Sequence, residues 1–216
     1  MKIDVITLFP EIIRSVLEYG ILNRAIDRQL LSVTLHQLRD FTNDRHQTVD
    51  DYPYGGGAGM VLKPEPVFRA VDACKRKSNG RGHVALLSPQ GPKFDQNKAK
   101  ELSLMEHLIV ICGRYEGVEQ RVADYLADEE VSVGDFVLSG GELAAMIIVD
   151  SVARLLPGAV GKGQAVLDES FMDGLLDYPH YTRPPVWNGL TVPQILLSGD
   201  HARIEQWRHE QAKATT

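Results

Sequence analysis

A chain of 216 residues has room for one full-sized core with a small appendage, and 44% hydrophobic residues is ordinary for such a protein. The formal net charge of −6 and the sequence pI near 5.6 argue against unspecific coating of nucleic acid, which needs a broad positive surface, but leave room for a local basic patch. Apolar runs stay well short of the ~18 residues a membrane helix needs, the opening Met1-Lys2-Ile3-Asp4-Val5 is too charged for a signal peptide, and Cys74 and Cys112 form no CxxC pair, so a reduced cytoplasmic protein with no metal site is expected.

In chain order, residues 2–8 read as a buried strand, and Pro10 opens a helix that Gly20 interrupts. Residues 31–38 alternate, with Leu31, Val33 and Leu35 against Ser32, Thr34 and His36, which predicts a strand. Pro64 and Pro66 suit the first turn of a helix reaching about residue 77. After a polar turn containing two glycines, residues 83–87 predict a strand, 95–104 a helix and 108–112 another strand. Residues 116–127 are amphipathic, 131–138 predict a further strand, and 142–156 a long, strongly apolar helix. Strands alternating with helices imply an α/β fold around a mainly parallel sheet. From 157 to about 193 there is little periodicity and much glycine and proline, the mark of a lid or linker. Asp200 can then cap a final helix from 201 to about 213.

Three glycine-bearing loops could carry chemistry. The first, Pro53-Tyr54-Gly55-Gly56-Gly57-Ala58-Gly59-Met60, permits close approach of backbone to a ligand, yet lacks the Gly-Lys-Ser/Thr of a phosphate-binding loop. By pattern alone a flexible turn is the commoner reading. The second, Ile111-Cys112-Gly113-Arg114-Tyr115-Glu116-Gly117, follows a buried strand. The third runs from Ser132 through Gly134-Asp135-Phe136-Val137-Leu138-Ser139-Gly140-Gly141 to Glu142 at a helix start. Parallel α/β sheets bind ligands at such strand ends, where backbone amides can meet a purine edge and Phe136 or Leu138 its face. The same glycines could equally serve only as tight turns. Arg154 has Asp150 one helical turn before it, so a local ion pair competes with any functional role. Asp168 and Glu169 read first as a solvated acidic pair, and His180 and Tyr181 either stack on a base or pack their loop.

Several of these stretches together resemble the TrmD family, a branch of the SPOUT methyltransferases. They are Ile6-Thr7-Leu8-Phe9-Pro10, Val49-Asp50-Asp51-Tyr52-Pro53-Tyr54-Gly55-Gly56-Gly57, Leu87-Ser88-Pro89-Gln90-Gly91, Cys112 to Gly117, Gly134 to Glu142, and Pro179-His180-Tyr181-Thr182-Arg183-Pro184. They occur in the family's order across nearly the whole chain. The resemblance implies an α/β fold with a mainly parallel sheet and a deep trefoil knot, plus a short α-helical C-terminal part. It implies a knotted cofactor domain over 1–160, a linker or lid over 161–177, and the beginning of a tRNA-binding helical domain over 178–216.

The implied activity is methyl transfer from S-adenosyl-L-methionine to N1 of guanosine at tRNA position 37, 3′ of the anticodon, by a homodimer. The implied cofactor pocket comprises Leu86, Leu87, Ser88, Pro89, Gly113, Tyr115, Glu116, Ser132, Val133, Gly134, Asp135, Phe136, Val137, Leu138, Gly140 and Gly141. Asp50, Tyr54, Gly55, Gly56, His180 and Arg183 are the implied tRNA contacts. Arg154 is the implied cation beside guanine O6, and the base falls where the family has Asp-Ser-Phe. Here that place reads Asp168-Glu169-Ser170-Phe171, and keeping Ser-Phe in register makes Glu169 the expected base with Asp168 as the alternative. A magnesium requirement is not legible in the sequence. Family members continue past the helix bearing Trp207 and Arg208 into a basic region, whereas this sequence runs to Thr216. That departure, with Glu169, sustains one alternative, a cofactor-binding, dimerising fragment with weak or no turnover; a second, a related SPOUT enzyme acting on ribosomal RNA, is disfavoured by the Tyr54-Gly55-Gly56-Gly57 and His180-Tyr181-Thr182-Arg183-Pro184 strings.

Overall fold

Strands β1 (Lys2–Thr7), β5 (His83–Leu87) and β6 (His107–Cys112) are buried on both faces rather than one, as strands of a parallel sheet covered by helices must be. With β2 (Ser32–Gln37) and β7 (Glu129–Val131) they make a five-stranded sheet in the order β2-β1-β6-β5-β7, every neighbouring pair parallel. Side chains alternate across it, so Ile3, Val5, Leu108 and Val110 enter one core and Ile6, Ile109 and Ile111 the other. Helices α1 (Pro10–Leu17), α2 (Gly20–Asp27), α4 (Gln96–Ser103) and α6 (Glu142–Leu155) cover the first face. Helices α3 (Pro64–Arg76) and α5 (Gln120–Tyr125) cover the second. A short antiparallel pair, β3 (Asp50–Asp51) and β4 (Val61–Leu62), brackets the glycine-rich loop.

The computed structural model describes residues 1–160, 170–171 and 174–216, and contacts within the chain divide it into two units, Met1–Gly161 and Lys162–Thr216. In the second, β8 (Val186–Trp187) and β9 (Leu190–Thr191) form a hairpin, followed by α7 (Gln194–Leu197) and α8 (His201–Thr215). Asp200 caps α8 as its sequence position foretold, its carboxylate accepting from the Arg203 N–H at 3.2 Å. Among the described residues no helix is long and apolar enough to cross a membrane.

Two sequence expectations need correction. The amphipathic stretch 116–127 is helical only over Gln120–Tyr125, because the backbone before it pairs elsewhere. The Glu116 N–H donates to the Met60 carbonyl and the Glu119 N–H to the Leu62 carbonyl, both at 3.0 Å. The strand expected over 131–138 ends at Val131. At Gly134 φ is +151°, a conformation that takes the chain out of the sheet and into a loop.

Candidate active site

The sheet order sets β6, β5 and β7 side by side, so the loops leaving their carboxyl ends are neighbours in space although far apart in sequence. They enclose a cleft of about 880 Å³, within the range of small-molecule sites. Every residue expected from the sequence to hold a cofactor lines this cleft except Asp135. The exposed carboxylate of Asp135 instead pairs with Lys93 on the surface. Leu86, Leu87, Pro89, Val133, Phe136 and Leu138 supply apolar walls, while Glu116, Glu130, Lys63, Arg114 and Arg121 bring charge to the same cleft. Apolar walls with polar backbone between them suit a flat heterocycle held by its edges.

Backbone contacts join the loops. The Gly141 N–H donates to the Gly113 carbonyl at 2.9 Å, and Arg114 bridges Gly140 in antiparallel fashion. A Cβ on Gly141 would meet the Cys112 Cα at 2.7 Å, so only glycine lets the two chain segments approach this closely. Tyr115 has φ of +60°, a left-handed conformation that costs an L residue ~1 kcal/mol and persists because hydrogen bonds on either side hold the turn.

The expected tRNA-contacting residues divide. Tyr54 lines the cleft mouth and is fully exposed, whereas Gly55, Gly56 and Asp50 lie outside the lining, Asp50 being paired in β3 with Leu62. His180 is engaged locally: its Nε2 lies 2.8 Å from Asp177 Oδ2, and its ring sits 4.7 Å from that of Tyr178. Arg183 is exposed. Arg154 is half-buried near the end of α6 and does not line the cleft. Twelve residues separate it from Glu142, a rise of about 18 Å along the helix from the end that faces the cleft. Asp168 and Glu169 lie outside the described residues.

Sequence reasoning assigned no role to many other lining residues, among them Lys63, Glu119, Arg121 and Glu130 outside the three loops, and Tyr52 and Arg114 within quoted segments. Arg114 stood inside a loop already singled out, but a side chain that reaches from one loop to another leaves no signature along the chain.

A second cluster of ionisable side chains sits toward the amino end of β1. Asp4 is fully buried, with His36 Nε2 at 2.8 Å from one oxygen, and His107 Nε2 at 2.7 Å and Lys2 Nζ at 2.9 Å from the other. Burial by itself pushes the Asp4 carboxyl up, but the hydrogen bonds from His36, Lys2 and His107 outweigh it and hold the group well below the usual carboxylate range. Asp4, His36 and Cys74 place ligand-type atoms within 4.8 Å of one another. Both Asp4 oxygens are already committed, and burial followed by the Asp4 charge pushes the Cys74 thiol up to about 12, so the cluster reads as structural.

The family model described as tRNA (Guanine-1)-methyltransferase TrmD matches residues 1–216. The chain belongs to this family. Among its relatives, a tRNA (guanine-N(1)-)-methyltransferase of Dehalococcoides mccartyi is 53% identical over 216 residues, covering 100% of this chain and 87% of that protein. A protein of the same name from Anoxybacillus flavithermus is 51% identical over 100% of this chain and 88% of its own length. Another from Bacillus subtilis is 51% identical over 98% of this chain and 87% of its own length.

Proposed function

We propose that this chain transfers a methyl group from S-adenosyl-L-methionine to N1 of guanosine at tRNA position 37, 3′ of the anticodon. It is a tRNA (guanine-N1)-methyltransferase, and the family match along the whole chain carries that reading. The donor fits the cleft at the ends of β5, β6 and β7, where close backbone approach and apolar walls suit an adenine ring. Residues 1–160 form the cofactor domain with a SPOUT-type trefoil knot, 161–177 a linker, and 178–216 the start of a tRNA-binding domain. The separation of contacts near residue 161 supports this division.

S-adenosylmethionine supplies an electrophilic methyl carbon on a sulfonium. Guanine N1 carries a proton and is a poor nucleophile until that proton leaves. The Glu169 carboxylate takes it, with Asp168 as the alternative base, and the Arg154 guanidinium offsets the charge that develops on O6. N1 then bonds to the methyl carbon as the carbon–sulfur bond breaks, leaving S-adenosylhomocysteine. Tyr54, Gly55, Gly56 and Asp50 from the glycine-rich segment, with His180 and Arg183, contact the tRNA.

The working unit is a homodimer in the cytoplasm. Two observations support it. Arg154 lies far along α6 from the protomer's own cleft, so it serves the cleft of a second copy. An apolar strip, Phe9, Ile12, Val16 and Tyr19 about α1 with Leu143 and Ile147 on the adjoining α6, is exposed and suits burial by that copy.

The test is transfer of labelled methyl to tRNA transcripts carrying guanine or adenine at position 37. Label should enter the guanine transcript alone. Incorporation into neither, or into both equally, overturns the proposal. Glu169→Ala should nearly abolish transfer and Asp168→Ala leave most of it; the reverse moves the base by one residue. Arg154→Ala should lower turnover by ~10²-fold with little change in melting temperature.

A further inference from the structure

The first residue of α6 is a buried carboxylate that does not line the cleft. Glu142 is only 3% exposed, yet it makes contacts to two other parts of the fold. Its Oε1 accepts from the Thr7 hydroxyl at 2.8 Å, and that hydroxyl oxygen in turn accepts from the Phe9 N–H at 2.9 Å. Thr7 is the last residue of β1, on the central sheet, and it too is absent from the cleft wall. The other Glu142 oxygen lies 4.0 Å from Arg114 Nε.

Arg114 belongs to the loop after β6 and reaches across to the loop after β7. It donates to the Ser139 carbonyl, and its guanidinium sits 4.5 Å from the centre of the Phe9 ring. Both side chains pass directly over Gly140. A Cβ there would meet Glu142 Oε2 at 2.5 Å and Arg114 Cδ at 2.7 Å. The glycine at 140 is thus demanded by this crossing, on top of any need of the cleft. Leu138, Ser139, Gly140 and Gly141 line the cleft together with Arg114, while Glu142, which holds Gly140 and faces Arg114, is not part of the lining.

We propose that Thr7, Glu142 and Arg114 form a latch fixing the loop 138–141 against the loop 113–117, with Thr7 and Glu142 as positioning residues for the methyl donor. The proposal rests on reading the cleft as the S-adenosylmethionine site. Its physical basis is that a buried carboxylate tolerates few arrangements. At the start of α6 its charge is favoured by the helix dipole, and each oxygen needs a donor within reach. Withdrawing the Thr7 hydroxyl leaves a buried acceptor without its partner, and the group moves to regain one. The loop above Gly140 must follow, because it contacts the same carboxylate.

A merely structural role predicts loss of stability without selective loss of cofactor. The latch predicts a split. Binding of S-adenosylhomocysteine by calorimetry, paired with steady-state kinetics on tRNA, separates them in Thr7→Val, Thr7→Ser, Glu142→Gln and, as a control, Asp4→Asn. Asp4 lies on the same strand but away from the cleft, so its loss destabilises the sheet alone. Thr7→Val and Glu142→Gln should raise the dissociation constant and the KM for S-adenosylmethionine roughly 10-fold while the KM for tRNA stays within about two-fold. Thr7→Ser, which keeps the hydroxyl, should bind as the parent does. If Glu142→Gln fails to fold, the Thr7 pair decides. Parental affinity in folded Thr7→Val overturns the latch, and so does an equal weakening in Asp4→Asn. A parent chain that takes up no S-adenosylhomocysteine overturns the cofactor reading first and the latch with it.

Discussion

Strand β1 carries a buried polar side chain toward each end, Asp4 near the amino end and Thr7 at the carboxyl end. At the amino end Asp4 collects His36, His107 and Lys2 around one buried carboxylate. At the carboxyl end Thr7 hands on to Glu142, and Glu142 to Arg114 and the loops above it. The first network runs on only to the neighbouring turn, Lys2 Nζ to the Ser78 hydroxyl and His107 Nδ1 to the Arg81 carbonyl. The second continues outward to a cleft. The contrast follows from the parallel sheet, whose strands all deliver their outgoing loops to one edge, so that ligand chemistry gathers there and the opposite edge is free to be sealed.

The open end is the more sensitive to a small change in shape. Gly141→Ala places a methyl group 2.7 Å from the Cys112 Cα, so backbone must shift where the two loops touch. Methyl transfer should fall by ~10²-fold or more, in the measure that ~1 Å misplacement costs a positioned reaction. Parental turnover in this variant would mean the loops are not held as closely as the contrast requires.

The sealed end should answer in stability and not in affinity. Asp4→Asn removes the charge around which three donors are arranged, and such a loss inside a protein costs about 3 kcal/mol. Chemical denaturation measures the loss, and S-adenosylhomocysteine binding in the same variant should be unchanged. The pH dependence has a definite sign. Because the folded-state pKa of Asp4 is depressed below the ~3.9 of an unfolded aspartate, its contribution is full above about pH 4 and declines as acid protonates the folded carboxylate. Asp4→Asn should therefore flatten part of the acid limb of the stability curve. An unaltered limb would show that the cluster does not anchor the sheet.

The smallest effect concerns the cysteines. Burial, then the nearby Asp4 charge, pushes the Cys74 thiol up to about 12, and burial, then Glu142, pushes that of Cys112 well above its ordinary value. Neither should react with a thiol reagent near pH 7.5 in the folded protein, and both should react once it is unfolded. Prompt labelling of Cys74 alone would mean that the amino end of β1 is not sealed.

What the sequence determined by itself was local. Residues 83–87 form a strand, Pro64 opens α3, Asp200 caps α8, and the alternation of strands and helices implies a parallel sheet, because each depends on neighbours within a few residues. The glycine loops were visible as loops, and of the cofactor residues their family resemblance named, all but Asp135 line the cleft. Only the tertiary structure decided that strand pairing takes residues 116–119 away from α5 and that the chain leaves the sheet after Val131. It also decided that Asp4 meets residues 32 and 103 positions away, and that Thr7 meets Glu142 across 135. The placement of Arg154 about 18 Å along α6 from the cleft belongs here too. Periodicity and capping are properties of adjacent residues, whereas a hydrogen bond between distant ones exists only after the sheet has set its strand order, and no spacing along the chain records that order.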